Sequence, residues 1–238
     1  MLGVGMRELS SKGKSGSEIQ IPIDSITLEG NLTIPDGAKG IVVFAHGSGS
    51  SRFSPRNRYV AQELQKEGLG TLLFDLLTAE EERIDMITAR LRFDIDLLAN
   101  RLVNVTNWLL RNPYTNKLSI GYFGASTGAA AALIAAKEHA NIIKAVVSRG
   151  GRPDLAEKAL PDVKAPTLLI VGGEDYQVIE MNQWALDQLK MKQKELQIVP
   201  GATHLFEEPG TLEEVANLAG EWFKRYLLET KITLMEEK

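Results

Sequence analysis

From residue 18 onward, short apolar runs rich in β-branched residues alternate with longer amphipathic segments. The runs predict eight strands, at 18–23, 27–34, 41–45, 70–74, 118–123, 145–148, 167–171 and 196–199. The first two runs alternate apolar with polar residues around a short turn, which predicts an antiparallel hairpin at one edge. Strands buried on both faces are predicted where the run is apolar throughout, as in IVVFA, KAVVS and TLLIV.

Between the strands, apolar residues at helical spacing predict five helices, at 57–67, 84–110, 127–139, 178–190 and 212–228. The longest of these has one apolar stripe that runs from Leu91 to Leu109. Its other positions, including Arg92, Asp94 and Arg101, are predicted to form a solvated face. Strands that alternate with helices in this way predict an α/β fold with a mostly parallel sheet and helices on both faces.

The chain has 238 residues, and an α/β fold of that size is commonly one domain. We expect this domain to span 18–230, between a flexible, glycine- and serine-rich tail at 1–17 and a short C-terminal tail at 231–238. The connection from Gly150 to Ala165 is too short for a separate lid domain.

Charge and composition limit the classes of partner and chemistry. With 27 basic and 31 acidic residues the formal net charge is −4, which predicts neither a nucleic-acid partner nor attraction to an anionic membrane. No cysteine is present, so disulfides, thiolate nucleophiles and cysteine-ligated zinc are excluded. No apolar run approaches 18 residues, and we expect a cytoplasmic protein that does not insert into membranes and needs neither a metal nor a cofactor.

The pentapeptide Gly124-Ala125-Ser126-Thr127-Gly128 is a G-x-S-x-G motif. By itself the pattern is weak, because small residues also allow a strand to pack closely on a helix. Here, however, it joins a predicted strand to a predicted helix, where a sharp turn exposes the serine hydroxyl above the sheet edge. This context predicts that Ser126 is a nucleophile.

A serine nucleophile requires a histidine base and a carboxylate that orients the base. His204 follows the last predicted strand and is the preferred base. The preferred acid is Asp175, at the end of the preceding strand, with the adjacent Glu174 as the competing candidate; Asp175 could instead cap the next helix. The chain order of serine, acid and histidine is the one expected for an α/β-hydrolase triad.

The other two histidines have predicted structural roles. His139 lies near the end of a helix, far along the chain from the motif. His46 begins the glycine-rich turn HGSGSS, which its ring is expected to hold in place. The backbone N–H of Ser48 in this turn and that of Thr127 are predicted to form the oxyanion hole.

These segments resemble the α/β-hydrolase superfamily, and within it the dienelactone-hydrolase-like group of small proteins without a lid. The resemblance covers about residues 18–230 and is carried by FAHGSGSS, GYFGASTG, LLIVGGED and GATHLFEEPG. It implies an α/β-hydrolase fold, a triad of Ser126, Asp175 and His204, and oxyanion donors at Ser48 and Thr127. Dienelactone hydrolases proper use a cysteine nucleophile, so this chain resembles a serine variant of the group.

Five arginines are predicted to lie near the same edge of the sheet. They stand in the segment after HGSGSS and in the segment SRGGRPD after the sixth strand: Arg52, Arg56, Arg58, Arg149 and Arg152. One interpretation is that they brace the loops by pairing with acids such as Asp75 and Asp154. The other is that Arg56, Arg149 and Arg152 bind an anionic group of the substrate.

Together these features predict a serine hydrolase that cleaves a small ester or lactone through an acyl-enzyme intermediate. Its partner would be a small ester-like substrate. A thioesterase, peptidase or acyltransferase that uses the same triad is the nearer alternative. A non-catalytic homologue that only binds a ligand is the more distant one.

Overall fold

In the computed structural model, which describes residues 16–228, eight strands form a single sheet. In chain order they are β1 Ser17–Ile23, β2 Ile26–Thr33, β3 Gly40–Ala45, β4 Gly70–Phe74, β5 Ser119–Ala125, β6 Ile143–Arg149, β7 Thr167–Gly172 and β8 Lys194–Val199. All eight predicted strands are present. The tails predicted at 1–17 and 231–238 fall almost entirely outside the described residues.

The sheet order is β1-β2-β4-β3-β5-β6-β7-β8. The hairpin β1–β2 pairs antiparallel, as does β2 with β4, and every other neighbouring pair is parallel. The central strands β3 and β7 are buried along their whole length, whereas the edge strand β1 alternates exposed positions with less exposed or buried ones. The predicted mostly parallel sheet with a hairpin at one edge is therefore confirmed.

Residues 16–228 contain six α-helices: α1 Pro55–Lys66, α2 Ala79–Thr88, α3 Ile95–Arg111, α4 Thr127–Glu138, α5 Tyr176–Gln188 and α6 Thr211–Phe223. A π-helical turn, Lys224–Leu228, continues α6. The apolar residues of α3, α4 and α5 pack on one face of the sheet, and those of α1 and α6 pack on the other. The connection after β6 contains only the short 3-10 turns Pro153–Ala156 and Leu160–Asp162, and it forms no lid.

The single helix predicted at 84–110 is wrong, because the structure divides this segment into α2, a 3-10 turn Leu91–Phe93 and α3. Ala89 ends α2 in the left-handed conformation, with φ of 52°. Asp94 begins α3, where its side chain accepts a hydrogen bond from the backbone N–H of Leu97. A left-handed residue followed by an N-cap stops one helix and starts another, although the apolar spacing continues across the joint.

Buried polar contacts stabilise the junction between α2 and α3. They also correct the prediction that Arg92, Asp94 and Arg101 form a solvated face. Asp85 is fully buried and accepts hydrogen bonds from the backbone N–H of Leu91 and from Nε of Arg92, at 2.6 and 2.5 Å. Burial favours the neutral acid, but the hydrogen bonds and charge of Arg92 hold the pKa of Asp85 below its ordinary value. Arg101 pairs with Glu81 at 2.6 Å. Of Arg92, Asp94 and Arg101, only Asp94 is therefore exposed.

The parallel strands bring the candidate residues to one edge. Each of these residues follows the end of a parallel strand: His46 follows β3, Ser126 follows β5, Gly150 follows β6, Asp175 follows β7 and His204 follows β8. Because the carboxyl ends of parallel strands share one edge of the sheet, these segments meet although up to 158 positions separate them in the chain. Among residues 16–228 no helix is both long and apolar enough to cross a bilayer.

Candidate active site

Ser126 stands at the sharp turn between β5 and α4, with φ of 50° and ψ of −123°. A positive φ is strained for a residue other than glycine and persists only where the surroundings enforce it. The end of β6 and the segment after it provide this support: the N–H of Ser126 donates to the carbonyl of Arg149 at 3.3 Å, and the N–H of Arg152 donates to the carbonyl of Ser126 at 3.0 Å. The backbone conformation is the one that exposes a nucleophile above the sheet edge.

Close packing explains the glycines around the serine. A Cβ at Gly128 would lie 2.2 Å from the carbonyl oxygen of Ala45, and one at Gly124 would lie 2.4 Å from Cα of Ala129. A Cβ at Gly47 would lie 3.0 Å from Cβ of Ser126. The two motif glycines therefore permit α4 to approach β3 and β5, and Gly47 leaves room beside the serine.

Asp175 and His204 form a direct contact. Oδ2 of Asp175 lies 2.6 Å from Nδ1 of His204, which donates the hydrogen bond when the ring is neutral. The Asp175 side chain makes no capping hydrogen bond to α5, although the residue is the N-cap of that helix. Glu174, the competing acid, instead accepts a hydrogen bond from the hydroxyl of Tyr176. The carboxylate therefore holds the ring in the orientation that leaves Nε2 available as a base.

Contacts within its own loop order the backbone on both sides of His204. Glu208 accepts hydrogen bonds from the backbone N–H and the hydroxyl of Thr203, at 3.1 and 2.6 Å. These bonds lower the pKa of the Glu208 carboxyl. Phe206 is buried with φ of 55°, a strained conformation for a large side chain. Sequence reasoning missed these supporting residues, because an acid five positions after a threonine carries no motif.

The segment after β6 also connects the histidine to the serine. A Cβ at Gly150 would lie 3.1 Å from the carbonyl oxygen of His204 and 3.6 Å from its Cε1. The residues on either side of Gly150 make the backbone hydrogen bonds to Ser126 described above. One short segment, 149–152, therefore contacts both Ser126 and His204, the predicted nucleophile and the predicted base.

The two predicted oxyanion residues also meet. The N–H of Ser48 donates to Oγ1 of Thr127 at 2.9 Å, and Thr127 is the first residue of α4. N–H groups at a helix start have no partner within the helix and favour negative charge. A substrate oxygen that accepts from Ser48 must share or replace the bond to the Thr127 hydroxyl.

His46 supports the turn that carries Ser48. Its Nε2 accepts from the N–H of Leu76 at 3.1 Å, so the ring proton is on Nδ1, which donates to the carbonyl of Gly47 at 2.9 Å. Burial lowers the pKa of His46, so the ring is neutral. His139 lies at the end of α4, with Nε2 3.4 Å from the carbonyl of Val103, and does not contact the residues of the site.

The predicted anion-binding arginines divide into two kinds. Arg152 makes a two-point contact with Asp154, at 2.9 and 2.8 Å, and its charge is neutralised. Arg149 is buried without a carboxylate partner among the described residues, and its Nη2 lies 3.5 Å from Oδ1 of Asn57. Arg56 reaches the exposed Glu207 at 3.3 Å. Within residues 16–228 no group of three or more His, Cys, Asp or Glu side chains could hold a metal ion.

Comparison with known proteins identifies the family. Residues 28–227 match the dienelactone hydrolase family. The crystal structure of a dienelactone hydrolase from Anabaena variabilis is 62% identical, covers 90% of this chain and 100% of that one, and superposes with a TM-score of 0.88. An esterase from Pyrococcus furiosus is 22% identical, covers 89% of this chain and 93% of that one, and has a TM-score of 0.72, which shows a common fold.

A longer relative is known from Mycobacterium tuberculosis, where it is provisionally named a phosphoribosyl transferase. It is 58% identical over 210 residues, which are 88% of this chain but only 46% of the relative. The chain thus spans about half the length of the curated relatives that it matches. The match over 28–227 and the identity to the Anabaena protein show that this chain belongs to the dienelactone hydrolase family, an α/β-hydrolase family.

Proposed function

We propose that the protein is a serine hydrolase that cleaves a small ester or lactone through an acyl-enzyme intermediate. The observation that carries the proposal is the arrangement of Ser126 on a strained turn beside the segment that also contacts the Asp175–His204 pair. An isolated serine motif would not require a carboxylate on a histidine at the same edge of the sheet. Family membership supports hydrolysis as the type of reaction.

The proposed first half-reaction is acylation. Ser126 Oγ attacks the ester carbonyl while Nε2 of His204 takes the hydroxyl proton, and Asp175 stabilises the imidazolium that results. The carbonyl π electrons move to the oxygen, which becomes an oxyanion. When the tetrahedral intermediate collapses, the bond to the alcohol oxygen breaks and His204 gives its proton to the leaving alcohol.

The second half-reaction releases the acid. Water attacks the acyl carbon on Ser126 while His204 takes one proton from that water. When this second tetrahedral intermediate collapses, the bond from the acyl carbon to Ser126 Oγ breaks, and His204 gives the proton to Oγ. In both halves the N–H groups of Ser48 and Thr127 donate to the oxyanion. A donor of this kind typically stabilises the transition state by about 3 kcal/mol.

The provisional name of the Mycobacterium relative does not change this proposal. The segment that this chain shares with the relative is the one that matches the dienelactone hydrolase family. We therefore propose that phosphoribosyl transfer belongs to the other half of that longer protein.

Labelling with a fluorophosphonate tests the nucleophile directly. The pure protein should gain one phosphonyl group, located by peptide mass spectrometry at Ser126, and Ser126→Ala should take up none. In parallel, Ser126→Ala should lower kcat for p-nitrophenyl acetate by about 10⁴-fold or more with an unchanged Tm. Retained turnover in the folded variant would contradict the proposal, and a panel of esters, thioesters and peptides would separate the alternative reactions.

A further inference from the structure

Arg149 is a buried cation that has no counter-ion within the part of the chain that the structure describes. The residue is 6% exposed, and its Nε is fully buried with no hydrogen-bond partner among the described residues. The nearest acceptor is the neutral amide of Asn57, at a marginal 3.5 Å from Nη2. Removing a charge from water without pairing it costs several kcal/mol, so a group in this state normally has a functional reason.

Arg56 adds a second positive charge at the same place. Burial, with a further contribution from the charge of Arg56, lowers the pKa of Arg149 to about 10. The Nε of Arg56 is also buried without a partner, and Glu207 reaches only its Nη1, at 3.3 Å, from a side chain that is 66% exposed. The fold therefore keeps two guanidinium groups near each other although they repel. Among the described residues, the one carboxylate that pairs with either of them is the exposed Glu207.

Other arginines near this edge of the sheet are arranged differently. Arg52 pairs with Asp75 and Glu29, Arg92 with Asp85, and Arg152 with Asp154. Each of these three has a carboxylate that accounts for its position as a structural brace. Bracing therefore explains Arg52 and Arg152, as one of the sequence interpretations expected, but it does not explain Arg149.

The two guanidinium groups lie beside the loop that carries His204. The Arg149 guanidinium carbon is 5.9 Å from the centre of the Phe206 ring, and Glu207 contacts Arg56. Both of these loop residues lie within three positions of His204. Arg56 and Asn57 are in the first turn of α1, whose N-terminus adds a partial positive charge.

We propose that Arg149, Arg56 and the first turn of α1 bind a phosphate monoester carried by the substrate, while Ser126 cleaves an ester bond elsewhere in the same molecule. This inference rests on the proposed hydrolase function. Glu207 contacts Arg56 only from an exposed position, and a ligand that displaces it meets two guanidinium groups. The charge then favours phosphate over carboxylate, because two guanidinium groups match a dianion and would leave one positive charge uncompensated against a monoanion. The phosphate ester itself stays intact.

Binding is tested first with inorganic phosphate alone and without turnover. Isothermal titration at constant ionic strength should detect phosphate binding to wild type and to Ser126→Ala with similar affinity. Arg56→Gln should weaken the affinity by about tenfold or more, because a two-point charged contact is lost. Arg149→Lys should weaken it as well, since an ammonium keeps the charge but lacks the planar fork.

Two further variants make the binding test specific. Arg152→Gln is the matched control, because Arg152 stands on the same segment but is already neutralised by Asp154; phosphate affinity should stay within about twofold. Glu207→Gln removes the competing carboxylate and should tighten phosphate binding severalfold. A Tm measurement for each variant identifies any loss of affinity that comes from unfolding.

Substrate preference is tested with three p-nitrophenyl esters of matched acyl length, whose far ends carry a phosphate, a carboxylate or a hydroxyl. Wild type should show the highest kcat/KM for the phosphate ester, and Arg56→Gln should lower the ratio of phosphate to hydroxyl ester by about tenfold. Equal preference for all three esters, a preference for the carboxylate, or equal phosphate affinity in Arg56→Gln and wild type would overturn the inference. Phosphate binding by Ser126→Ala combined with no ester turnover by wild type would overturn the hydrolase function alone.

Discussion

The serine turn and the histidine loop reach the same edge of the sheet, but different interactions hold them there. Backbone crowding holds the turn, since Gly124 and Gly128 lie where any Cβ would collide with the neighbouring backbone. The loop depends on side chains: Glu208 binds Thr203, Phe206 is buried in a strained conformation, and Asp175 binds His204 from another strand end.

This difference has consequences for mutation. A strained turn enforced by rigid packing has no alternative conformation of similar energy, so a side-chain atom added at one of its glycines should destabilise the fold. A loop held by hydrogen bonds between side chains can lose one bond and still fold, with the base less well oriented. Substitutions that add atoms at the turn glycines should therefore reduce stability, whereas changes at the loop should reduce turnover.

The largest effect is expected at Asp175, the acid that binds the histidine loop. Asp175→Asn should lower kcat by about 10⁴-fold with a small change in Tm, because an amide no longer selects the tautomer of His204 that leaves Nε2 as a base. Glu174→Gln is the matched control, since this neighbouring acid contacts Tyr176 instead, and its kcat should stay near wild type. An equal loss of kcat in both variants would contradict the assignment of Asp175.

A smaller effect, on stability, is expected at the turn. Gly128→Ala should lower the free energy of unfolding by about 3 kcal/mol or more, since its Cβ would meet the Ala45 carbonyl at 2.2 Å. Gly37→Ala has no atom within 4 Å of its Cβ and φ of 75°, so it should lose only about 1–2 kcal/mol, from the left-handed conformation. Urea unfolding measures both, and similar losses would show that crowding is not what requires Gly128.

At the histidine loop the expected change is in turnover. Glu208→Ala removes both bonds to Thr203 and should lower kcat by about tenfold, because an imprecisely placed base loses part of its contribution. The exposed Glu214, on α6, offers Glu214→Ala as a control that should leave kcat unchanged. A large fall in Tm without a fall in kcat would show that Glu208 supports the fold rather than the base.

The smallest expected effect is a pH dependence that comes from His46. Its pKa is lower in the folded protein than the ordinary 6.5, so the unfolded chain binds a proton that the folded protein excludes. Stability should therefore be complete above pH 6.5 and decline below it, by at most about 1.4 kcal/mol per pH unit. Urea unfolding between pH 5 and 8 measures the slope, which His46→Gln should remove and His139→Gln should retain.

Local patterns predicted most of the architecture and the catalytic candidates. The strands follow from apolar runs, and the turn at Ser126 follows from small residues between a strand and a helix. The division between α2 and α3 was missed, because the apolar stripe continues across the joint while Asp85, Ala89 and Asp94 interrupt the helix. The spacing of apolar residues predicts which face of a helix is buried. It does not predict that a polar side chain such as Asp85 accepts hydrogen bonds from the segment that follows and so ends the helix.

The sequence by itself determined the fold class, the serine motif and the order of the candidate triad, since each depends on residues close together in the chain or on simple order. Only the tertiary structure decided that Asp175 rather than Glu174 meets His204, and that Arg152 is neutralised while Arg149 has no carboxylate partner between residues 16 and 228. The physical reason is that a side chain's partner depends on which strand ends lie side by side. That arrangement results from the packing of the whole sheet, and no local sequence pattern predicts it.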